Sequence, residues 1–211
     1  AIMGIFDDES NDHYQEAIQA VRTSIEMNQS LHQYNNDRLQ EGLLLVEIGI
    51  GIHSGPVVVG TVGSEDRIQT TVLGDSVNIS ARLETITKLY KSNVIISSQT
   101  EQFIKTDPTI KIRALDYIQV KGKDEAIHIF EVINADPPDI LDLKIKTLIN
   151  YNAARAHYYK QGWQQAKQLF KKCLEVYPKD AVPNLYLKRI EDFEKTPLLS
   201  NWQGIFVATE K

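Results

Sequence analysis

The sequence predicts a sheet domain of the α/β or α+β class, followed by a small helical appendage. Three observations carry this. Helical and strand-like periodicities alternate over residues 1–133. The segment "NADPPDI" (134–140) then interrupts the chain with two adjacent prolines and a shift in composition, as a linker does. Over 141–211 the dominant pattern is helical.

Taken in order, the opening run "AIMGIF" is apolar and strand-like. No initiator methionine precedes it, so the chain is expected to begin inside a domain. After the acidic turn "DDESND", residues 12–34 read as an amphipathic helix, with Ala17, Val21 and Ile25 sharing a face with Ile18 and Leu31. "LLLVEIGIGIHSGPVVVGTVG" (43–63) reads as two strands rich in β-branched residues and broken at "HSGP". "TTVLGDSVNISARLE" (70–84) is a short strand, a Gly-Asp turn and a helix reaching about Tyr90, with Asp75 as its expected cap. "SNVIISSQT" (92–100) is a buried strand, and Ser98 or Thr100 is the expected cap of a short helix after it. "IRALDYIQVKGKDEAIHIFEVI" (112–133) closes the domain as two strands around a Gly-Lys turn.

Past the linker, one helix ends at a turn near Gly162, a second stops at Pro178, and a third runs over about 182–193. Ala166, Phe170 and Pro178 stand where a tetratricopeptide repeat places them, so 141–211 is expected to be TPR-like. Only one unit is visible and an array needs about three, which favours an appendage packed on the sheet domain over a peptide-binding array. Trp202 and Phe206 are expected to pin the tail to one domain or the other.

Composition narrows the function. The formal net charge of −5 gives no general attraction to nucleic acid or to an anionic membrane, so any phosphate chemistry needs a local site. The single cysteine, Cys173, excludes an intrachain disulfide and suits a reducing, cytoplasmic compartment. No apolar run approaches the ~20 residues of a membrane span, and nothing reads as a signal peptide. The five histidines show no metal-ligand spacing, and His53 in "GIHSG" reads as a strand-end residue rather than a base.

The helix after the Gly-Asp turn carries Asn78 and Arg82 one turn apart, on one face. Its apolar stripe (Ile79, Leu83, Ile86) is rotated by about one residue, so the polar pair flanks the buried face. A guanidinium matches a phosphate, and an amide can orient a sugar or ring oxygen. From the pair alone, a solvated face with Arg82 paired to Glu84 or Asp75 is the simpler reading.

The wider segment changes that reading. "GIGIHSGPVVVGTVG", then "TTVLGDSVNISARLE", then "VKGK" resembles the class III nucleotidyl cyclase catalytic domain over roughly residues 1–133. The resemblance implies a ferredoxin-like α+β domain with a mostly antiparallel sheet and flanking helices. It also implies an adenylate cyclase that converts ATP to 3′,5′-cyclic AMP and pyrophosphate. Asn78 matches the asparagine that orients the ribose, and Arg82 the arginine that stabilises charge on the α-phosphate. Thr71, assisted by the Val72 backbone, matches the position that reads the purine edge, where a hydroxyl favours ATP over GTP. Lys121, or Lys123 if the register slips, matches the lysine that holds the terminal phosphates.

The same resemblance implies two Mg2+ or Mn2+ ions held by two aspartates that belong upstream of Ala1, so no metal ligand is expected in this sequence. Asp7 and Asp8 follow the first strand instead of preceding it and fit an acidic turn. The site is expected to form across a homodimer, with an N-terminal regulatory or membrane module as a further expectation. The alternatives are a non-catalytic cyclase-like nucleotide sensor or dimerisation module, and a scaffold acting through the C-terminal helices.

Overall fold

A computed structural model describes residues 2–7, 12–64, 67–119, 126–196, 198 and 202–207. In chain order the elements are α1 (His13–Gln40), β1 (Ile50–Ile52), β2 (Val58–Ser64), β3 (Arg67–Leu73), α2 (Asp75–Tyr90), β4 (Val94–Ser97), α3 (Ser98–Ile104), β5 (Ile112–Gln119) and β6 (Ala126–Val132). A 3-10 turn at Ile133–Ala135 leads into α4 (Pro138–Tyr159), α5 (Trp163–Val176), α6 (Ala181–Lys195) and a two-residue strand, β7 (Phe206–Val207).

The main sheet has the order β1-β4-β6-β5-β7 and is mixed. β4–β6 and β5–β6 are antiparallel, while the pairings at both edges, β1–β4 and β5–β7, are parallel. β2 and β3 form a separate antiparallel hairpin, with Thr71 opposite Gly60 and Val72 opposite Val59.

Both faces of the main sheet are covered, which is why all four residues of "VIIS" in β4 are buried despite their alternating directions. Val94 and Ile96 point toward α1 and α3, packing with Ala17, Val21 and Ile104. Ile95 joins Leu83 and Tyr90 of α2 and Tyr151, Phe170 and Tyr186 of α4–α6 in the opposite core.

Several sequence expectations are corrected. Residues 2–7 and 43–49 are largely apolar but form no strand; the second segment is coil, exposed over 43–47, that leads into β1. Among the described residues no strand lies beside them, and a backbone without a partner builds no ladder. α1 runs on to Gln40 because its last turns are tied to the segment that follows. Asn35 donates to the Val46 carbonyl and accepts from its amide, at 2.8 and 2.9 Å, and Arg38 donates to the Leu44 carbonyl. Ser97, not Ser98 or Thr100, caps α3 by accepting from the Thr100 amide. Gly74 occupies the N-cap of α2, and Asp75 is its first helical residue, where an acidic side chain favours the helix dipole.

The helices after β6 are fastened to the sheet by buried charge. Arg113 of β5 bonds Glu131 of β6 and both oxygens of Asp180, the N-cap of α6, with its plane over Tyr151 of α4. Lys144 of α4 bonds Glu131 and Asp136, each at 2.6 Å. The tail is held from two sides: Trp202 packs among Tyr158, Trp163 and Phe193, and Phe206 pairs with Ile118 of β5.

Candidate functional site

The candidate site is built on the unit β3–Gly74–α2, and its geometry is decided by how closely α2 lies against β1. Three glycines around β1 make that approach feasible. A Cβ on Gly51 would stand 2.3 Å from the Ser80 carbonyl oxygen and 2.3 Å from the Glu84 amide nitrogen, both backbone atoms. One on Gly49 would stand 2.1 Å from Thr87 Oγ1, and one on Gly55 2.5 Å from Ser76 Oγ.

Hydroxyls then lock the contact. Ser80 Oγ donates to the Gly51 carbonyl at 2.7 Å and Ser76 Oγ to the Pro56 carbonyl at 2.9 Å. Leu83, on the same side of the helix, is fully buried. Gly74, at φ 148°, permits the sharp entry from β3, a backbone conformation that strains any side chain-bearing residue. Gly51→Val is expected to push α2 off β1. Because the obstacles are backbone atoms, the cost should reach at least the upper end of overpacking, about 3 kcal/mol. A urea midpoint close to wild type would contradict this docking.

With residues 76, 80, 83 and 87 turned toward β1 and its flanking segments, helical geometry turns 78 and 82 to the opposite side. Asn78 is exposed and Arg82 half-buried. Neither side chain makes a hydrogen bond or ion pair with another described residue, so the pairing of Arg82 with Glu84 or Asp75 that the isolated pair suggested is not formed. Thr71 is half-buried and Val72 buried in β3, the strand that feeds α2 through Gly74. The structure thus puts Thr71, Val72, Asn78 and Arg82 on one strand-turn-helix unit. Lys121 and Lys123 lie outside the described residues, as does Asp8; Asp7 is exposed.

Beside this unit the hairpin presents Val58, Val59 and Leu73 to solvent, all more than half exposed. His53 belongs to the scaffold. Its Nδ1 is 2.8 Å from Ser97 Oγ, next to a Ser54–Thr100 hydroxyl contact, and burial lowers its pKa from the ordinary value. Among the described residues, no group of three or more His, Cys, Asp or Glu is placed to hold a metal ion. The described residues therefore offer no such cluster to the divalent ions that the resemblance implies. No helix among the described residues is long and apolar enough to cross a membrane.

Sequence reasoning located the polar pair but missed Ser76 and Ser80, which aim it. The signal was present as the Gly49/Gly51 alternation and the four-residue spacing of the two serines, small residues suited to close backbone contact.

Residues 1–132 match the family described as "Adenylate and Guanylate cyclase catalytic domain". The chain is 36% identical over 190 residues, 90% of its length, to "Adenylate cyclase, terminal-differentiation specific" of Dictyostelium discoideum. It is 41% identical over 137 residues, 63% of its length, to an adenylate cyclase of Anabaena cylindrica. It spans 9% and 26% of the lengths of those two relatives. Among solved structures, it is similar to the adenylyl cyclase CyaB from P. aeruginosa, with a TM-score of 0.51 and 29% identity, covering 56% of this chain and 59% of that one.

Proposed function

The chain belongs to the family of adenylate and guanylate cyclase catalytic domains, and from that premise we propose that it converts ATP to 3′,5′-cyclic AMP and pyrophosphate. One observation carries the residue-level reading: α2 is clamped by Ser80 to β1, by Ser76 to the loop after it and by buried Leu83 to the core, and this leaves Asn78 and Arg82 on its outward face, unengaged by other described residues.

In this reading Asn78 orients the ribose so that its 3′-hydroxyl faces the α-phosphate. Arg82 donates to the α-phosphate oxygens as negative charge builds there during attack. Such chemistry is mostly positioning and charge stabilisation, which a preorganised guanidinium supplies without moving. Thr71 accepts from the adenine amino group, with Val72 offering backbone groups beside it, and Lys121 holds the terminal phosphates.

We further propose that the site is completed in a homodimer. Arg82 points away from its own sheet, and the adjoining hairpin exposes Val58, Val59 and Leu73, an apolar surface suited to a second copy. Residues 1–133 are read as the catalytic domain, 134–140 as a connection and 141–211 as a TPR-like extension.

The test is cyclic AMP formation from ATP by the full protein with Mg2+ or Mn2+. ATP binding without turnover would instead favour a nucleotide sensor. Thr71→Ala removes one hydrogen bond to the base, so kcat/KM for ATP is expected to fall about tenfold while that for GTP changes less. An equal change for both nucleotides would remove Thr71 from base recognition.

A further inference from the structure

The end of α2 opposite its entry from β3 is held by a buried polar cluster that no role described above requires. Asp116, 1% exposed, sits where the β5–β6 register shifts. It accepts from Tyr90 Oη at 2.7 Å, from Arg189 Nη1 at 2.5 Å and from the Tyr117 amide at 2.9 Å. Tyr90 is the last residue of α2, and Arg189 belongs to α6. Arg189 Nη2 also reaches Tyr90 Oη at 3.4 Å, and its guanidinium lies 3.6 Å from the ring centre of Phe206 in β7. Burial, chiefly, raises the Tyr90 phenol well above its ordinary pKa, so it remains a donor.

Tyr90 stands eight residues beyond Arg82, about 12 Å along a rigid helix. The near half of α2 rests on β1, a three-residue strand at the edge of the sheet. An edge contact of that size leaves tilt to be controlled from the far end. Over about 12 Å a tilt of roughly 5° displaces the guanidinium by about 1 Å, an error that can cost on the order of 10²-fold in rate.

We propose that Tyr90, Asp116 and Arg189 are positioning residues for the cyclase reaction: together they brace α2, and through α6 and β7 they make the C-terminal helices a unit that aims Asn78 and Arg82. The proposal rests on the cyclase reading for its chemical consequence, though not for its mechanical one.

Tyr90→Phe in the full protein tests it, because the ring stays in the core and Asp116 keeps Arg189 and the Tyr117 amide. Amide hydrogen exchange over residues 78–86 is expected to quicken about tenfold or more, with β4 and β6 unchanged. Unchanged exchange in α2 would overturn the brace whatever the chemistry. kcat is expected to fall about tenfold with KM within about twofold. Quicker exchange with an unaltered kcat would overturn the positioning role. Arg189→Lys keeps the charge but loses the two-armed fork, and should give the same pattern. A wild-type protein that turns over no ATP would sink the cyclase reading and the positioning role with it, while the exchange result would still decide the brace.

Discussion

Arg82→Ala is expected to lower the rate of cyclic AMP formation about 10³-fold or more, with the fold and the oligomeric state unchanged. The size follows from the chemistry. A guanidinium aimed at a phosphoryl group in its transition state contributes on the order of 10³ to 10⁵ in rate, because it meets developing charge without reorganising. That the fold should survive follows from the structure. Arg82 is half-buried and bonds no described residue, whereas the packing of α2 is carried by Leu83 and the hydroxyls of Ser76 and Ser80. Arg82→Lys should recover only part of the activity, since a single ammonium cannot span two phosphate oxygens. Activity near wild type in Arg82→Ala, assayed at saturating ATP, would remove this residue from the reaction.

The largest effect on stability is expected at Arg113. Arg113→Ala leaves Glu131 and Asp180, 1% and 2% exposed, without their principal cation. Stranding buried charges of this kind costs about 3–5 kcal/mol, which for a domain of this size lowers Tm by about 10 °C. Calorimetry showing a shift of only a degree or two would mean that the network contributes little.

The acid limb should move as well. Burial alone would raise the Glu131 carboxyl, but Arg113 and Lys144 outweigh it and hold the pKa at about 2, below the ordinary 4.5. A depressed carboxyl stabilises the fold above about pH 4.5, and that contribution is lost as pH falls toward 2. Asp136, which burial raises, acts in the opposite sense and offsets part of the loss. Removing Arg113 lets the Glu131 pKa climb, so the variant should begin to unfold at a higher pH than wild type in an acid titration followed by circular dichroism.

Much of this was legible in local sequence. The α2 helix, the break at Gly74, the β5–β6 pair and three C-terminal helices follow from periodicity and punctuation, because each is set by neighbours within a few residues. The misreadings share one cause. Residues 2–7 and 43–49 have the composition of strands and form none, since a strand exists only beside a partner and composition does not report one. Hydroxyl side chains were misassigned for a similar reason: Ser97, Ser98 and Thr100 all suit a cap, and the path of the backbone chose the first.

Sequence alone determined the chemistry on offer: an amide and a guanidinium one turn apart, behind a threonine-bearing strand and a Gly-Asp turn, in a chain with no bulk charge to attract polyanions. The tertiary structure decided where that chemistry points. Side-chain identity and helical spacing are local properties, but the outward turn of Asn78 and Arg82 depends on Gly51 meeting Ser80 across 29 residues. The support of the helix's far end likewise depends on Asp116 meeting Arg189 across 73. Contacts over such distances are selected by the packing of the whole core, which no window of sequence contains.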